Sequence, residues 1–100
     1  MESSGSAMFI YSWVKGARKG YLPKVFGEKG AKAYDQFVKK FIRINADGTI
    51  TLTDACSVAG LGGESKYRDG SYQYYISEPK SDNDAKAVSP FILVSVLLKK

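Results

Sequence analysis

Nine basic side chains stand between residues 15 and 43: Lys15, Arg18, Lys19, Lys24, Lys29, Lys32, Lys39, Lys40 and Arg43. Only Glu28 and Asp35 oppose them, so this segment carries +7 in a chain of net charge +5. A local excess of cations is the chemistry of phosphate neutralisation, in which each contact releases condensed counterions. Gly16, Gly20, Gly27 and Gly30 would let backbone N–H groups approach such phosphates closely. The competing reading is a solvated face with lysines serving solubility.

A second group of residues is aromatic. Tyr67, Tyr72, Tyr74 and Tyr75 cluster with Lys66 and Arg68. On an extended strand Tyr72, Tyr74 and Ile76 share one face. Such a face stacks the bases of a single nucleic-acid strand, although cross-strand tyrosine pairs also stabilise hairpins with no ligand.

Other chemistry is poorly provided for. The chain has no histidine, which removes the usual neutral-pH base and the commonest metal ligand. Cys56 is the single cysteine, so no disulfide forms within the chain, and it reads as a small buried hydrophobe. Gly60-Leu61-Gly62-Gly63 lacks the Lys-Ser/Thr of a phosphate loop. Asp82-Asn83-Asp84 lacks the glycine and terminal glutamate of a calcium loop. No nucleophile–base set or carboxylate pair emerges. The expectation is therefore no enzyme, no metal and no cofactor.

These residues need elements to hold them. Residues 1–7 read as an expression scar, and residues 8–100 as a single small domain, which suits a chain of 100 residues. Phe9 to Val14 is rich in β-formers and predicts a strand. Ala31, Tyr34, Phe37, Val38, Phe41 and Ile42 recur at three- and four-residue spacing, which predicts an amphipathic helix over 30–42. Asp47-Gly48 and Asp69-Gly70 lie between candidate strands and predict two hairpins. Thr53-Asp54 caps a short helix over 55–59. Phe91 to Leu98 is apolar on both faces and predicts a central buried strand.

The sum is an α+β fold, with one helix packed on a largely antiparallel sheet of 5–6 strands. Residues 37–61 offer an alternative. A helix, then Ile50-Thr51-Leu52-Thr53, then the small residues from Ala55 to Gly60, resembles the opening of a winged helix-turn-helix. That resemblance implies that the next segment, 64–76, reads the major groove.

The functional expectation is a small nucleic-acid-binding protein. Lys15, Arg18, Lys19, Lys24, Lys32, Lys39, Lys40 and Arg43 would contact the phosphates of DNA or RNA. Tyr67, Tyr72 and Tyr74 would assist. The alternative is a protein-interaction or inhibitor module, viral or phage-encoded, that binds an acidic protein surface through Tyr11, Trp13 and Tyr75. It would self-associate as a homo-oligomer through the 91–98 strand. A structural or assembly subunit is a third reading. The absence of a signal peptide, a spanning segment and an internal disulfide predicts a cytoplasmic protein with no membrane partner.

Overall fold

Ala7, Ile10 and Val14 follow one another at three- and four-residue steps, and all are buried. They form the inward stripe of helix α1, Ser3–Arg18, in the computed structural model, which describes residues 1–65 and 67–99. The strand expected over Phe9 to Val14 is thus a helix. Local β-propensity is worth less than burial of a 3.6-period stripe. Residues 1–7 are part of this fold. Ser3, Ser4 and Ala7 are buried, and the Ser3 N–H donates to the Asp54 carbonyl at 2.9 Å.

Helix α2, Lys24–Phe41, covers residues 30–41 of the helix expected over 30–42, stops one residue short because Ile42 is extended, and reaches back to Pro23, which precedes its first turn. The two helices approach closely because Gly30 is buried against α1. A Cβ there would meet Val14 Cγ2 at 2.7 Å. After α2 the chain turns through β1, Ile42–Ile44, and β2, Ile50–Leu52, paired antiparallel with Arg43 opposite Thr51. The turn is braced locally. Asp47 Oδ1 accepts from the Thr49 N–H and hydroxyl at 3.0 and 2.6 Å.

Beyond this hairpin the expectation and the structure part company. The helix expected over 55–59 is instead β3, Ala55–Cys56, which pairs antiparallel with β4, Lys80–Ser81. The second hairpin, around Asp69-Gly70, does not form. Asp69 Oδ1 accepts from the Ser71 N–H, and Ser71 Oγ accepts from the Tyr74 N–H, which starts helix α3, Tyr72–Ser77. A serine N-cap here outweighs the hairpin preference of Asp-Gly. Lys66, placed in that hairpin by its sequence, lies outside the described residues.

Phe91 to Leu98 belongs to helix α4, Ala85–Leu98, not to a strand. An apolar run of this length fits either state by pattern alone. Asp84 decides it by accepting from the Lys86 N–H as N-cap, and Ala87, Pro90 and Val94 form the buried stripe.

The α+β sheet of 5–6 strands is therefore overturned. Four helices and two short two-stranded sheets make up the described residues. The winged helix-turn-helix fails too, because β3 and the loop before α3 replace its two helices. Helix α1 packs along both α2 and α4. Phe91 of α4 stacks on Tyr34 and Phe37 of α2, with ring centroids 5.8 and 5.4 Å apart. The result is a slab of 48 × 40 × 18 Å, with a radius of gyration of 15.4 Å. A compact chain of this length has about 13 Å. No helix among the described residues is long and apolar enough to cross a membrane.

Candidate functional site

The basic residues do not converge. Lys15, Arg18, Lys19 and Lys24 gather where α1 passes into α2. Lys39, Lys40 and Arg43 lie at the far end of α2, about 24 Å along the helix from Lys24 at 1.5 Å per residue. That exceeds two Debye lengths at physiological salt, so the two groups act separately. Lys32 stands between them. Lys15 donates to the Tyr11 hydroxyl at 2.8 Å, Lys40 lies over the Phe41 ring, and Arg43 approaches Asp82 at 3.8 Å.

The tyrosines are also redistributed. On helix α3, Tyr72 and Tyr74 point to different sides, where a strand would have aligned them. Tyr72 is 72% exposed and Tyr67 76%. Tyr74 turns inward, and its hydroxyl accepts from the Gly60 N–H at 3.1 Å.

Tyr74 leads to a cluster that sequence reading missed. Arg68 Nε donates to Glu78 Oε1 at 3.0 Å, and the Glu78 side chain is only 2% exposed. The Arg68 guanidinium is held above its ordinary pKa, first by its hydrogen bond to Glu78. Desolvation, then hydrogen bonding to Glu78, pushes the Tyr74 phenol up despite the opposing Gly60 N–H. Tyr74 is therefore a neutral phenol at physiological pH. Gly62 and Arg68 exchange backbone hydrogen bonds of 2.7 and 2.8 Å, closing the loop between them. No spacing rule links Arg68 to Glu78 ten residues on, so only the closed loop reveals the pair.

The cluster is a brace. It ties residues 60–62, Arg68 and α3 into one unit that presents Leu61, Tyr67 and Tyr72 outward. Exposed tyrosine rings offer an apolar face and a hydroxyl. Most of the carboxylates have structural work. Glu2 caps α1, Asp84 caps α4, Asp47 and Asp69 brace turns, and Glu78 and Asp82 pair with arginines. Among the described residues no group of three His, Cys, Asp or Glu could hold a metal ion.

The profile of Glycosyl Hydrolase Family 88 matches residues 1–100. This chain belongs to that family. The helical slab of this family-88 chain is also found in a solved C. acetobutylicum ATCC 824 glycoside hydrolase from family 105. That structure is 47% identical, with a TM-score of 0.89, over 97% of this chain and 27% of the other. Two further relatives are Protein Atu3128 of Agrobacterium fabrum and the 24.9 kDa protein in picA locus of Rhizobium radiobacter. Each is 37% identical over 97 residues, or 92% of this chain and 42% of the relative. The chain thus spans less than half the length of these relatives and about a quarter of the solved hydrolase.

Membership of this family overturns three expectations. The likeness is to glycoside hydrolases, not to nucleic-acid-binding proteins. It points to an enzyme where none was expected, and nothing in it supports a viral origin. The basic segment misled because charge names a sign of partner and carries no information about the fold.

Proposed function

We propose that this chain is one part of a glycoside hydrolase, and that its braced loop, residues 60–78, forms a rim of the sugar-binding cleft. The observation that supports the reading is the 47% identity to a family 105 glycoside hydrolase over 97% of the chain. Identity of that extent covers the loop as well as the helices.

Glycoside hydrolysis generally uses two carboxyl groups on either side of the scissile bond, about 5 to 9.5 Å apart. Six of this chain's ten carboxylates are engaged in caps, turns and ion pairs. The reading therefore gives the acid–base pair to the wider body and gives this chain a binding role. Tyr67 and Tyr72 would lie against the apolar face of a sugar ring. Arg68, Glu78 and Tyr74 would keep the loop in place.

The test is sugar release from a panel of oligosaccharides by an intact hydrolase that contains this segment. Tyr67→Ala and Tyr72→Ala are expected to raise KM several-fold with less effect on kcat. The 100-residue chain by itself is expected to give no turnover. If the intact protein hydrolyses no glycoside while the C. acetobutylicum enzyme does so in the same assay, the reading is wrong.

A further inference from the structure

The turn that joins α1 to α2 is braced from below. The N–H groups of Lys19, Gly20, Tyr21 and Leu22 all donate back to carbonyls in the last turn of α1. Gly20 at its tip has φ +77°, and a Cβ there would meet nothing within 4 Å, so the tip projects into open space. Arg18, Lys19 and Lys24 are exposed around it. The ion pairs of the described residues join Arg43 to Asp82, Arg68 to Glu78 and Lys86 to Asp84. None reaches this turn, and Glu28, four residues on from Lys24, is not paired with it.

Helix stability accounts for only part of this charge. Arg18 sits in the last turn of α1, where a cation offsets the negative end of the helix dipole. Lys24 opens α2 at the positive end, with no acidic residue in the first turn, so it works against the dipole. A cation placed there is balanced by an anion outside the chain. Tyr21 narrows the choice of anion. It is 82% exposed beside these cations, and Val25 is 45% exposed. A soluble anion neutralises the charges and leaves both side chains in water. An anionic bilayer takes both: phosphates receive the cations, and a tyrosine ring settles at the headgroup level. A protein that lies on a bilayer needs no spanning segment.

We propose that the α1–α2 turn docks on an anionic lipid bilayer, with Arg18, Lys19 and Lys24 on phosphate headgroups and Tyr21 inserted between them. Docking leaves the other end of the chain free. The Cys56 N–H donates to Glu2, and the Ser3 N–H to the Asp54 carbonyl, so the start of α1 lies at the strands that enclose the 57–79 loop system. The turn is at the opposite end of α1, about 24 Å away at 1.5 Å per residue. The proposal does not depend on the sugar chemistry assigned to that loop.

The experiment is co-sedimentation of the intact protein containing this segment with two kinds of vesicle. One is phosphatidylcholine and phosphatidylglycerol in equal parts, and the other is phosphatidylcholine alone. Binding to the mixed vesicles is expected, and at least about tenfold weaker binding to the neutral ones or in about 1 M salt. Each cation near an anionic leaflet raises partitioning about fivefold. Arg18→Glu, Lys19→Glu and Lys24→Glu together should therefore weaken binding at least about 100-fold, and Tyr21→Ala several-fold. Lys39→Glu with Lys40→Glu, at the far end of α2, is the control and should change binding less than about twofold. Urea unfolding checks that each variant is folded. Should the charge-reversal variant unfold, Arg18→Gln with Lys19→Gln and Lys24→Gln repeats the test by removing charge alone, with about a 100-fold loss expected.

No binding to the mixed vesicles, or equal binding to both kinds, overturns the proposal. So does full binding by the folded charge-reversal variant. If Tyr21→Ala binds like wild type and soluble polyglutamate strips the protein from the vesicles, the turn serves an acidic polymer and the bilayer reading fails. Sugar release is scored separately. Lipid binding without sugar release sinks the hydrolase reading and leaves the docking turn standing. Sugar release without lipid binding does the reverse.

Discussion

Replacing Glu2 with alanine should cost this chain about 2–4 kcal/mol. The Glu2 carboxylate accepts from the N–H groups of Ser4 and Gly5, both at 2.7 Å, and from the Ser4 hydroxyl at 2.6 Å. It also accepts from the Cys56 N–H at 3.1 Å, across to β3. Losing an N-cap costs about 0.5–2 kcal/mol. Leaving a shielded N–H such as that of Cys56 without an acceptor adds about 1–3 kcal/mol. Glu2→Gln keeps an acceptor oxygen and loses the charge beside the helix N-terminus, so it should cost about 1 kcal/mol. The pH dependence is a second signature. Partial burial raises the Glu2 pKa, but hydrogen bonds from the Ser4 hydroxyl and the Cys56, Gly5 and Ser4 N–H groups together hold it below its ordinary 4.5. A depressed folded-state pKa gives stability that is fully present above the unfolded value. It is lost as pH falls through the folded one. The gap between wild type and Glu2→Gln should therefore be full at pH 7 and shrink as the pH falls below the ordinary value of 4.5 and through the lower folded-state pKa. Urea unfolding followed by circular dichroism at both pH values measures it. Taking the difference cancels Asp47, Asp69 and Asp84, whose pKa values are also lowered. If Glu2→Ala unfolds within 0.5 kcal/mol of wild type (about a third of a tenfold equilibrium change), or the gap widens in acid, the account of this cap is wrong.

Three further substitutions probe separate contacts. Gly30→Ala gains about 1 kcal/mol of helix propensity but drives a methyl into Val14 at a cost of about 1–3 kcal/mol, so a net loss of up to about 2 kcal/mol is expected in urea unfolding. Gly20 and Gly70 both have positive φ, +77° and +76°, but only at Gly70 does a Cβ meet a neighbour, Leu61 Cδ2 at 2.7 Å. Because that atom is the end of a Leu61 side chain that is 80% exposed and can turn aside, Gly20→Ala and Gly70→Ala should each cost about 1 kcal/mol, and a distinctly larger loss at Gly70 would show that the Leu61 contact is held. Glu78→Ala removes the partner of Arg68, whose side chain is 28% exposed, and should cost about 1–3 kcal/mol, less than a fully buried pair. Trypsin cleavage after Arg68 should accelerate at least tenfold in that variant, and an unchanged rate would disprove the brace.

Some of this molecule is plain in its residues. The stripe from Ala31 to Phe41 is a helix in any context that can cover it, and α2 contains it. Asp47-Gly48 forms its hairpin because every group that stabilises it lies within a few residues. The same dipeptide at 69–70 shows where such reasoning stops. Its outcome depends on Ser71 finding the Tyr74 N–H, so the local signal is shared between two competing motifs. Phe9 to Val14 and Phe91 to Leu98 have the composition of strands, but that preference is weaker than the pull of a helical core. For the second of them Asp84, as N-cap, is the clue that the sequence does contain. The site is less legible still. The Arg68–Glu78 brace exists only once the chain has closed around it, and the family 105 structure that points to sugar chemistry extends well beyond the span this chain matches.

The two small sheets also differ in when they can form. β1 and β2 meet across a turn of five residues, 45–49, so their pairing is a microsecond event that needs no other element. β3 and β4 bring Cys56 to Lys80, with the Ser57 N–H donating to the Pro79 carbonyl, and they enclose the whole 57–79 loop system. Closing that span costs chain entropy before any contact repays it. The ladder itself is only two residues long on each strand, so it should open more readily than the helices. Hydrogen exchange at Ser57, whose N–H donates to the Pro79 carbonyl, should accordingly outpace that at Thr51. The rim assigned to sugar binding would then breathe as one unit, on a clock set by two short strands and not by the helices beneath it.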